Sequence, residues 1–254
     1  MNFFLVLNGK KLKQVLILAT AFLFTIGIVF ADNENISVFS SQNSPTAIYK
    51  VDTKEKKIAL TFDISWGEEK AAPIIDILQQ KGIGDKVTFF LSAPWSKNHP
   101  QVVKKLVDMG AEIGSHGYKH VDYSRLSDEE IKLQIKKAEV ILKEATGKKP
   151  TLLRTPNGNF DKRVLTIAES LGYTVIQWDT DSKDWLSPGV EQIVNNVIRS
   201  AHPGDIVLLH ASDSAKQTEQ ALPIIIDKLR QQGYTFVTVS ELIAGANVNV
   251  KELD

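Results

Sequence analysis

The chain has 254 residues, of which 43% are hydrophobic and 24% charged, and its 30 Lys and Arg residues balance 30 Asp and Glu residues. This length suits one globular domain of barrel size or at most two small ones, and the balanced charge gives no reason to expect nucleic acid as a partner. The chain has no cysteine, which excludes disulfides, thiolate zinc sites and cysteine nucleophiles. A metal ion would therefore be held by His, Asp, Glu or water, donors that suit zinc and similar divalent ions.

The N-terminus is predicted to be an export segment. Lysines at positions 10, 11 and 13 precede an uncharged apolar run from Val15 to Ala31. As a helix this run would rise about 25 Å, slightly less than a bilayer core of about 30 Å. Val29 and Ala31 offer small residues where a signal peptidase reads them, so a cleaved signal peptide and an uncleaved membrane anchor both fit. Either one places the rest of the chain outside the cytoplasm, with the lysines inside.

Strands are predicted from short apolar runs that follow a Ser- and Asn-rich linker, residues 32–46. Ala47–Val51 and Lys57–Leu60 are predicted to pair as a hairpin across the charged segment between them. The strand candidates are, in chain order, Ile58–Phe62, Val87–Leu91, Glu112–Gly114, Thr151–Leu153, Thr174–Trp178, Asp205–Leu209 and Thr235–Val237.

Amphipathic helices are predicted between these strands. They cover Ala72–Gln80, Pro100–Met109, Ser127–Thr146, Lys162–Ser170, Val190–Ala201 and Thr218–Gln231. The longest opens with Ser127 and Glu130 in capping-box spacing and stops at Gly147, as a helix ending on a residue with positive φ would.

Strand–helix alternation implies a parallel sheet covered by helices. Seven such units predict a distorted (β/α)7 barrel of the TIM type with an N-terminal hairpin, and an open doubly wound sheet is the competing fold. The predicted organisation is a signal peptide or anchor (1–31), the linker (32–46), the globular domain (47–245) and a C-terminal tail (246–254).

Polar side chains follow the predicted strands at their carboxyl ends, where the active site of a (β/α) barrel lies. They are Asp63, His116, Arg154, the group Asp179, Asp181 and Asp184, and His210. One charged strand end is commonly a solubility feature. Five such ends, two of them bearing histidine, indicate a site.

The spacing of His116 and His120 would place two imidazoles on one face of a helix, able to share a metal ion. The three residues between them lack the glutamate of a zincin motif, and Gly117 weakens the helix interpretation. A loop could still bring both rings together. Two surface histidines near a turn are the alternative.

Three other strand-end residues each allow a catalytic and an ordinary interpretation. Asp63 could be a general base or only a strand-terminating carboxylate. His210 could be a general acid or a core histidine bonded to backbone. Arg154 could orient a carboxylate through a two-pronged contact or pair with a neighbour at the surface. Trp66 and Trp185 lie beside these positions in the sequence, so they are candidates for stacking on a sugar.

In this order the residues resemble the motifs of the NodB-homology polysaccharide deacetylases, carbohydrate esterase family 4. The blocks, between about Lys56 and Leu242, are Thr61-Phe62-Asp63, His116-Gly117-Tyr118-Lys119-His120, Arg154-Thr155-Pro156-Asn157-Gly158, Asp181-Ser182-Lys183-Asp184-Trp185 and Leu208-Leu209-His210. Each block alone is weak, but the five together are highly specific. Within the family the chain most resembles the cell-wall and sporulation-associated deacetylases of endospore-forming bacteria.

The resemblance implies a metal-dependent hydrolase that removes N-acetyl groups from peptidoglycan or a chitin-like glycan during spore or cell-wall maturation. It implies Asp63 as base and His210 as acid, with Arg154 and Asp181 holding these two groups at different pKa values. The protein is expected to act as a monomer outside the cytoplasm and to meet a membrane only through its N-terminal segment.

The resemblance also implies ligands for the metal and the substrate. His116 and His120 would hold the ion, expected to be zinc. Trp66 and Trp185 would contact the glycan, and a backbone N–H near Asn157 would bind the oxyanion.

One position departs from the family pattern. The base is usually followed by a second Asp that completes an Asp-His-His metal site, and here that position is Ile64. Two imidazoles and water should hold zinc less tightly and make the bound water more acidic, or Asp63 could be drawn onto the metal at the cost of its role as base. Two other functions stay open: a wall-glycan binding or structural protein without catalysis, and a hydrolase of another amide or an ester.

Overall fold

The computed structural model of the protein describes residues 45–245 and the backbone of 247–251. The predicted signal peptide or anchor (1–31) and all but the last two residues of the predicted linker (32–46) lie outside the described residues. Across the part that is described, no helix has the length and apolar character needed to cross a bilayer.

One sheet of ten strands organises the described residues. The strands are β1 (Ala47–Asp52), β2 (Lys57–Ile64), β3 (Thr88–Leu91), β4 (Glu112–Ser115), β5 (Leu152–Leu153), β6 (Thr174–Ile176), β7 (Thr180–Asp181), β8 (Asp205–His210), β9 (Thr235–Phe236) and β10 (Asn247–Lys251). The residues predicted as a C-terminal tail thus include β10, which pairs antiparallel with β1.

Seven of these strands close into a barrel in the order β1-β6-β5-β4-β3-β2-β8. Their pairings are parallel except at the seam between β8 and β1, where Lys50 pairs antiparallel with Asp205. β7 pairs with β8, and β9 pairs with the first residues of β2. The predicted seven-stranded barrel is therefore confirmed, and the open sheet is excluded.

The predicted N-terminal hairpin is wrong in its pairing. β1 and β2 both form, but β1 pairs with β6, β8 and β10. The segment between β1 and β2 has no Gly or Asn to make the two-residue turn that tight hairpins favour. β1 instead buries Ala47, Ile48 and Val51 against the barrel. It takes the seventh place in the ring that the sequence had predicted for Thr235–Val237.

Eight helices lie among the described residues. They are α1 (Ala71–Gln80), α2 (Ala93–Asn98), α3 (Pro100–Asp108), α4 (Asp128–Thr146), α5 (Lys162–Ser170), α6 (Val190–Ser200), α7 (Thr218–Gln231) and α8 (Val239–Ala244). The six predicted helices are confirmed to within about one residue at each end. Sequence patterning missed α2 and α8 because six residues are too few to show a helical period.

Helix ends follow the chemistry expected from the sequence. Ser127 and Glu130 form both bonds of a capping box at the start of α4. Gly147 ends that helix with a φ of 77°. Thr238 and Glu241 form a second capping box at the start of α8.

Successive side chains of β2 point alternately toward the helices and toward the interior of the barrel. Leu60, Phe62 and Ile64 pack in the core cluster that contains α1 and α7, while Ala59 packs with the interior strand residues. Asp63 belongs to the interior set and reaches the carboxyl end of the barrel. Ile64 is fully buried in the helix-facing core.

Candidate active site

A cavity of about 470 Å³ lies at the carboxyl ends of the barrel strands. Of the nine residues predicted from the sequence, the cavity is lined by Asp63, Trp66, His116, His120, Asn157, Asp181, Trp185 and His210. The ninth, Arg154, contacts Asp63 and is completely buried. Residues separated by nearly 150 positions thus share one site because parallel strands end at one edge.

Sequence reasoning missed several residues of this cavity. They are Ser65, Gly158, Trp178, Leu208, Ser212 and Ser214. Four follow a predicted strand end, Ser65 and Ser212 by three positions and Gly158 and Ser214 by five, and that closeness was the available signal. Serines in loops are too common for it to stand out.

Arg154 lies inside the barrel, so the surface-pairing interpretation is wrong. Its Nη1 donates to Asp63 Oδ1 at 2.9 Å and to Thr61 Oγ1 at 2.8 Å, and its Nη2 donates to the carbonyl of Gln177 at 2.9 Å. Its guanidinium lies over the Phe90 ring, 4.2 Å from the centroid. The bond to Asp63 therefore uses one carboxylate oxygen, where the sequence prediction was a two-pronged contact.

This contact decides the charge of Asp63. Burial alone would raise the pKa of Asp63, but Arg154 and the nearby imidazoles of His116 and His210 outweigh burial and hold the pKa below its ordinary value. Asp63 is therefore ionised at neutral pH. Because Arg154 occupies Oδ1, the second oxygen is available to accept a proton.

His116 follows β4 directly, and a hydrogen bond at Nδ1 fixes the orientation of its ring. Its Nδ1 lies 2.8 Å from the carbonyl oxygen of Arg154, an acceptor, so Nδ1 carries the proton and Nε2 keeps its lone pair. Nε2 lies 3.7 Å from Asp63 Oδ2. The His116 ring is thus oriented as a metal ligand or hydrogen-bond acceptor toward the cavity.

His120 reaches the same cavity through a turn and not along a helix face. The ring centroids of His116 and His120 are 5.5 Å apart, with 67° between the ring planes. The turn depends on Gly117, whose φ is 78° and whose Cβ would lie 2.2 Å from the Tyr123 hydroxyl. Any side chain at this position would collide with this buried hydroxyl, which favours glycine here.

The donor set fits a divalent ion held by few protein ligands. Burial lowers the pKa of both His116 and His120 below the ordinary value, which keeps the imidazoles neutral as metal ligands must be. Asp63 provides a carboxylate beside them, while Ile64 points into the core and offers none. Within residues 45–245 no preformed cluster of three or more His, Cys, Asp or Glu ligands is found.

His210 ends β8 beside Asp63 of the neighbouring strand β2, and it is supported by Asp184. Its Nδ1 lies 2.7 Å from Asp184 Oδ1, and its backbone N–H donates to Asp184 Oδ2 at 2.8 Å. Thr218 Oγ1 donates to the same Oδ2 at 2.6 Å. Burial alone would lower the pKa of His210, but the hydrogen bond and charge of Asp184 raise it above the ordinary value. His210 is thus held ready to donate a proton.

The predicted partner of His210 was Asp181, and the structure places Asp184 there instead. Asp181 lines the cavity, and its Oδ1 accepts the backbone N–H of Lys183 at 2.8 Å. The turn at Asp184–Leu186 lies between Lys183, with a φ of 55°, and Ser187, with a φ of 50°. These two positive φ values turn Asp184 back toward β8, which sequence spacing does not reveal.

The rim of the cavity carries two half-exposed tryptophans. Trp66 is 48% and Trp185 49% exposed, and the Trp66 ring meets His120 edge-on with 5.4 Å between centroids. Asn157 has a φ of 59°, in the small left-handed region, within the turn after β5. Aromatic faces at the rim and polar groups at the base suit a sugar ring with a polar substituent.

The family is identified by a match to the polysaccharide deacetylase model over residues 50–176. The chain belongs to the polysaccharide deacetylase family. The matched part contains β2 with Asp63 and the segments that carry His116, His120 and Arg154. The resemblance found in the five sequence blocks is thereby confirmed.

Two relatives are similar to this chain over most of its length. The chain is 38% identical to a peptidoglycan-N-acetylglucosamine deacetylase of Bacillus cereus over 198 residues, which are 77% of this chain and 92% of that protein. It is 32% identical to the protein YlxY of Bacillus subtilis over 207 residues, which are 82% of this chain. The chain covers 63% of the length of YlxY, less than two thirds of that relative.

A similar solved structure is that of BA3943 from Bacillus anthracis, a CE4 family pseudoenzyme. It superposes with a TM-score of 0.75 at 34% identity and covers 82% of this chain and 72% of that chain. A BA3943 mutant with restored enzymatic activity gives a TM-score of 0.74 at 36% identity, over 79% of this chain and 72% of that chain. Similar folds in this family therefore include both active and inactive proteins.

Proposed function

We propose that this protein is a metal-dependent deacetylase that hydrolyses N-acetyl groups of a cell-wall glycan, either peptidoglycan or a chitin-like polymer. One observation carries the proposal. Asp63 and His210 line the same cavity, and each contacts a buried side chain of opposite charge, Arg154 for Asp63 and Asp184 for His210. Arg154 keeps Asp63 ionised, and Asp184 raises the pKa of His210, so that the ring holds its proton to higher pH. Two groups whose pKa values are pushed apart in this way are typical of an acid–base pair.

Asp63 supplies the base in this proposal. Its Oδ1 is occupied by Arg154, so Oδ2 accepts the proton of the attacking water as the water oxygen bonds to the amide carbon. A backbone N–H near Asn157 would stabilise the oxygen on which negative charge develops. Positioned donors of this kind cost no reorganisation during the reaction.

His116 and His120 are the residues that would hold the metal ion. When bound, a divalent ion, expected to be zinc, supplies Lewis-acid polarisation of the amide carbonyl and a lower pKa for water. The bond from His116 Nδ1 to the Arg154 carbonyl keeps Nε2 directed at the cavity. Arg154 thus positions the base through its side chain and a metal ligand through its backbone.

His210 supplies the acid. Its Nδ1 is engaged by Asp184, so Nε2 delivers the proton to the amide nitrogen as the carbon–nitrogen bond breaks. Acetate leaves, and the amine remains on the sugar. The rim residues Trp66 and Trp185 would hold the sugar ring.

The test is acetate release from N-acetylated chito-oligosaccharides, peptidoglycan and an O-acetylated glycan, measured after chelation and after addition of zinc, cobalt or nickel. We expect release that depends on the metal and on the N-acetyl group. Release from the O-acetylated glycan alone would favour an esterase.

Asp63→Asn is expected to abolish turnover with the fold intact, because the amide cannot accept the water proton. The matched control is Asp108→Asn, at an exposed surface ion pair, and its activity should stay normal. Near-normal turnover in Asp63→Asn would overturn the assignment of the base.

A second function, glycan binding without catalysis, is favoured by Ile64. The metal ligand that the family uses at this position is replaced by a buried core residue, and BA3943 is a pseudoenzyme of similar fold. This function would give measurable glycan affinity with no acetate release under any of the metals.

The remaining sequence predictions are part of the same proposal. A deacetylase domain at 47–245 would follow an export segment (1–31) and a linker (32–46), with a tail at 246–254, and the protein would act as a monomer outside the cytoplasm. Export is supported by the Lys-flanked apolar run and by the peptidoglycan deacetylase among its relatives. The link to sporulation stays a prediction.

A further inference from the structure

The loops after β2 and β8 are tied together just beyond the two reacting residues. Ala211 donates its backbone N–H to the carbonyl of Asp63 at 3.0 Å. Two residues further on, the backbone N–H of Ser65 donates to Ser212 Oγ at 2.9 Å. The loop that follows the base is thus held by the loop that follows the acid.

Asp213 forms the strongest part of this tie. Its carboxylate accepts three successive backbone N–H groups, from Glu68 at 2.9 Å, Glu69 at 3.1 Å and Lys70 at 2.9 Å. Charge-assisted bonds of this kind are stronger than bonds between neutral groups. One side chain therefore fixes the whole segment that leads from the β2 loop into α1.

Gly67 shows how closely Asp213 approaches that segment. Its φ is 97°, and a Cβ placed on it would lie 2.2 Å from Asp213 Cγ. From elsewhere in the fold, Trp95 Nε1 donates to the carbonyl of Gly67 at 2.8 Å. Gly67 is held by both contacts, and the residue directly before it is Trp66, on the cavity rim.

We propose that Asp213 is a positioning residue for glycan binding, which acts by fixing Trp66 at the rim of the cavity and edge-on to His120. The identity of the ligand rests on the proposed function. The positioning of Trp66 rests on the geometry alone. The competing role for Asp213 is only to satisfy the backbone N–H groups of the turn that precedes α1, which need acceptors in any case.

A matched capping residue separates these two roles. Thr238 Oγ1 accepts the backbone N–H of Glu241 at 3.1 Å and caps α8. That cap lies beside Thr88, the first residue of β3, at the end of the barrel opposite to the cavity. Thr238→Ala therefore removes a helix cap without touching the site.

The experiment measures the affinity of the full chain for N-acetylated chitotetraose, in wild type, Asp213→Ala, Trp66→Ala, the double variant and Thr238→Ala. We expect Asp213→Ala to weaken binding about tenfold and Thr238→Ala to leave it unchanged. The double variant should bind like Trp66→Ala, because effects that run through one residue are not additive. Asp213→Asn, which keeps one acceptor oxygen, should recover part of the affinity.

Unchanged affinity in Asp213→Ala, or additive losses in the double variant, would overturn the proposal. A second measurement needs no glycan: acrylamide quenching of the fluorescence that is lost in Trp66→Phe. Asp213→Ala should increase that quenching, and Thr238→Ala should not. Failure of the wild type to bind chitotetraose would contradict the proposed function, while unchanged quenching would contradict the role of Asp213.

Discussion

The two ends of β8 each bring a histidine and an aspartate together, with different results. At the carboxyl end, His210 meets Asp184, and both oxygens of Asp184 are engaged by hydrogen bonds. At the amino end, Asp205 lies 3.9 Å from His202 Nε2, which is nearer to Asp179 at 2.8 Å. At the carboxyl end the pKa of His210 is raised, and at the amino end the pKa values of both His202 and Asp205 are raised.

The number of donors around each carboxylate explains the difference. Asp205 is fully buried, and its Oδ2 accepts a hydrogen bond from Thr180 Oγ1 at 2.6 Å. Its Oδ1 has no hydrogen-bond partner among the described residues. Burial raises the pKa of Asp205 to about 6, because the few donors do not offset the loss of solvent. A histidine–aspartate pair can therefore supply a reacting group at one end of β8 and form a pH-sensitive contact in the barrel seam at the other end.

The largest effect is expected when the His210–Asp184 pair at the carboxyl end of β8 is broken. In Asp184→Asn the charge that raises the pKa of His210 is lost, so the acid would be deprotonated at lower pH. We expect acetate release to fall roughly 10²–10⁴-fold, the range of a general acid, and activity to be lost at a lower pH as pH rises. Rate–pH profiles and NMR titration of His210 measure both effects. Asp108→Asn is the control for loss of an exposed carboxylate, and a larger shift in the pKa of His210 in Asp181→Asn than in Asp184→Asn would contradict the assignment of Asp184.

A smaller effect is expected at the amino end, in stability. Because the folded pKa of Asp205 is raised to about 6, its contribution to stability is present at low pH and is lost as pH rises through that value. The raised pKa of His202 acts in the same direction. The free energy of unfolding should fall by on the order of 3 kcal/mol between about pH 4 and about pH 8 from Asp205 alone.

Asp205→Asn should flatten that dependence, and Asp108→Asn should leave it intact. Urea unfolding across this pH range gives the measurement. An unchanged slope in Asp205→Asn would show that Asp205 keeps its charge in the fold.

The smallest effects are expected from replacing the threonine that donates a hydrogen bond to each aspartate. Thr180→Val removes the hydroxyl that donates to Asp205 Oδ2, so the pKa of Asp205 should rise further and the loss of stability should extend to higher pH. Thr218→Val removes one of three donors to Asp184 and should cost about 1 kcal/mol without moving that transition. The same unfolding series tests both variants, and identical pH curves would contradict the role given to donor number.

Much of the fold could be predicted because its signals are local. Short apolar runs placed the strands near β2, β3, β4 and β8, and helical periods with caps placed α4 and five other helices. The site followed from these elements, since parallel strands deliver their carboxyl ends to one edge. This explains why eight of nine predicted residues line the cavity, although no two of the predicted catalytic residues are neighbours in the sequence.

Contacts between distant segments decided the rest. Closure of the ring by β1 depends on which edge is left open once the other six strands have paired, and the sequence of β1 carries no sign of its partner. The choice of Asp184 over Asp181 depends on positive φ at Lys183 and Ser187, a conformation that neither residue type favours. The tie from Asp213 to the β2 loop joins residues more than 140 positions apart.

The sequence by itself therefore determined the elements, the end of the barrel that reacts and the residue types that meet there, because hydrophobic period and strand direction are local properties. Only the tertiary structure decided which carboxylate supports which histidine and which buried oxygen lacks a donor. Those outcomes depend on the few hydrogen bonds that remain once solvent is excluded, and such bonds form between segments that the chain brings together only on folding.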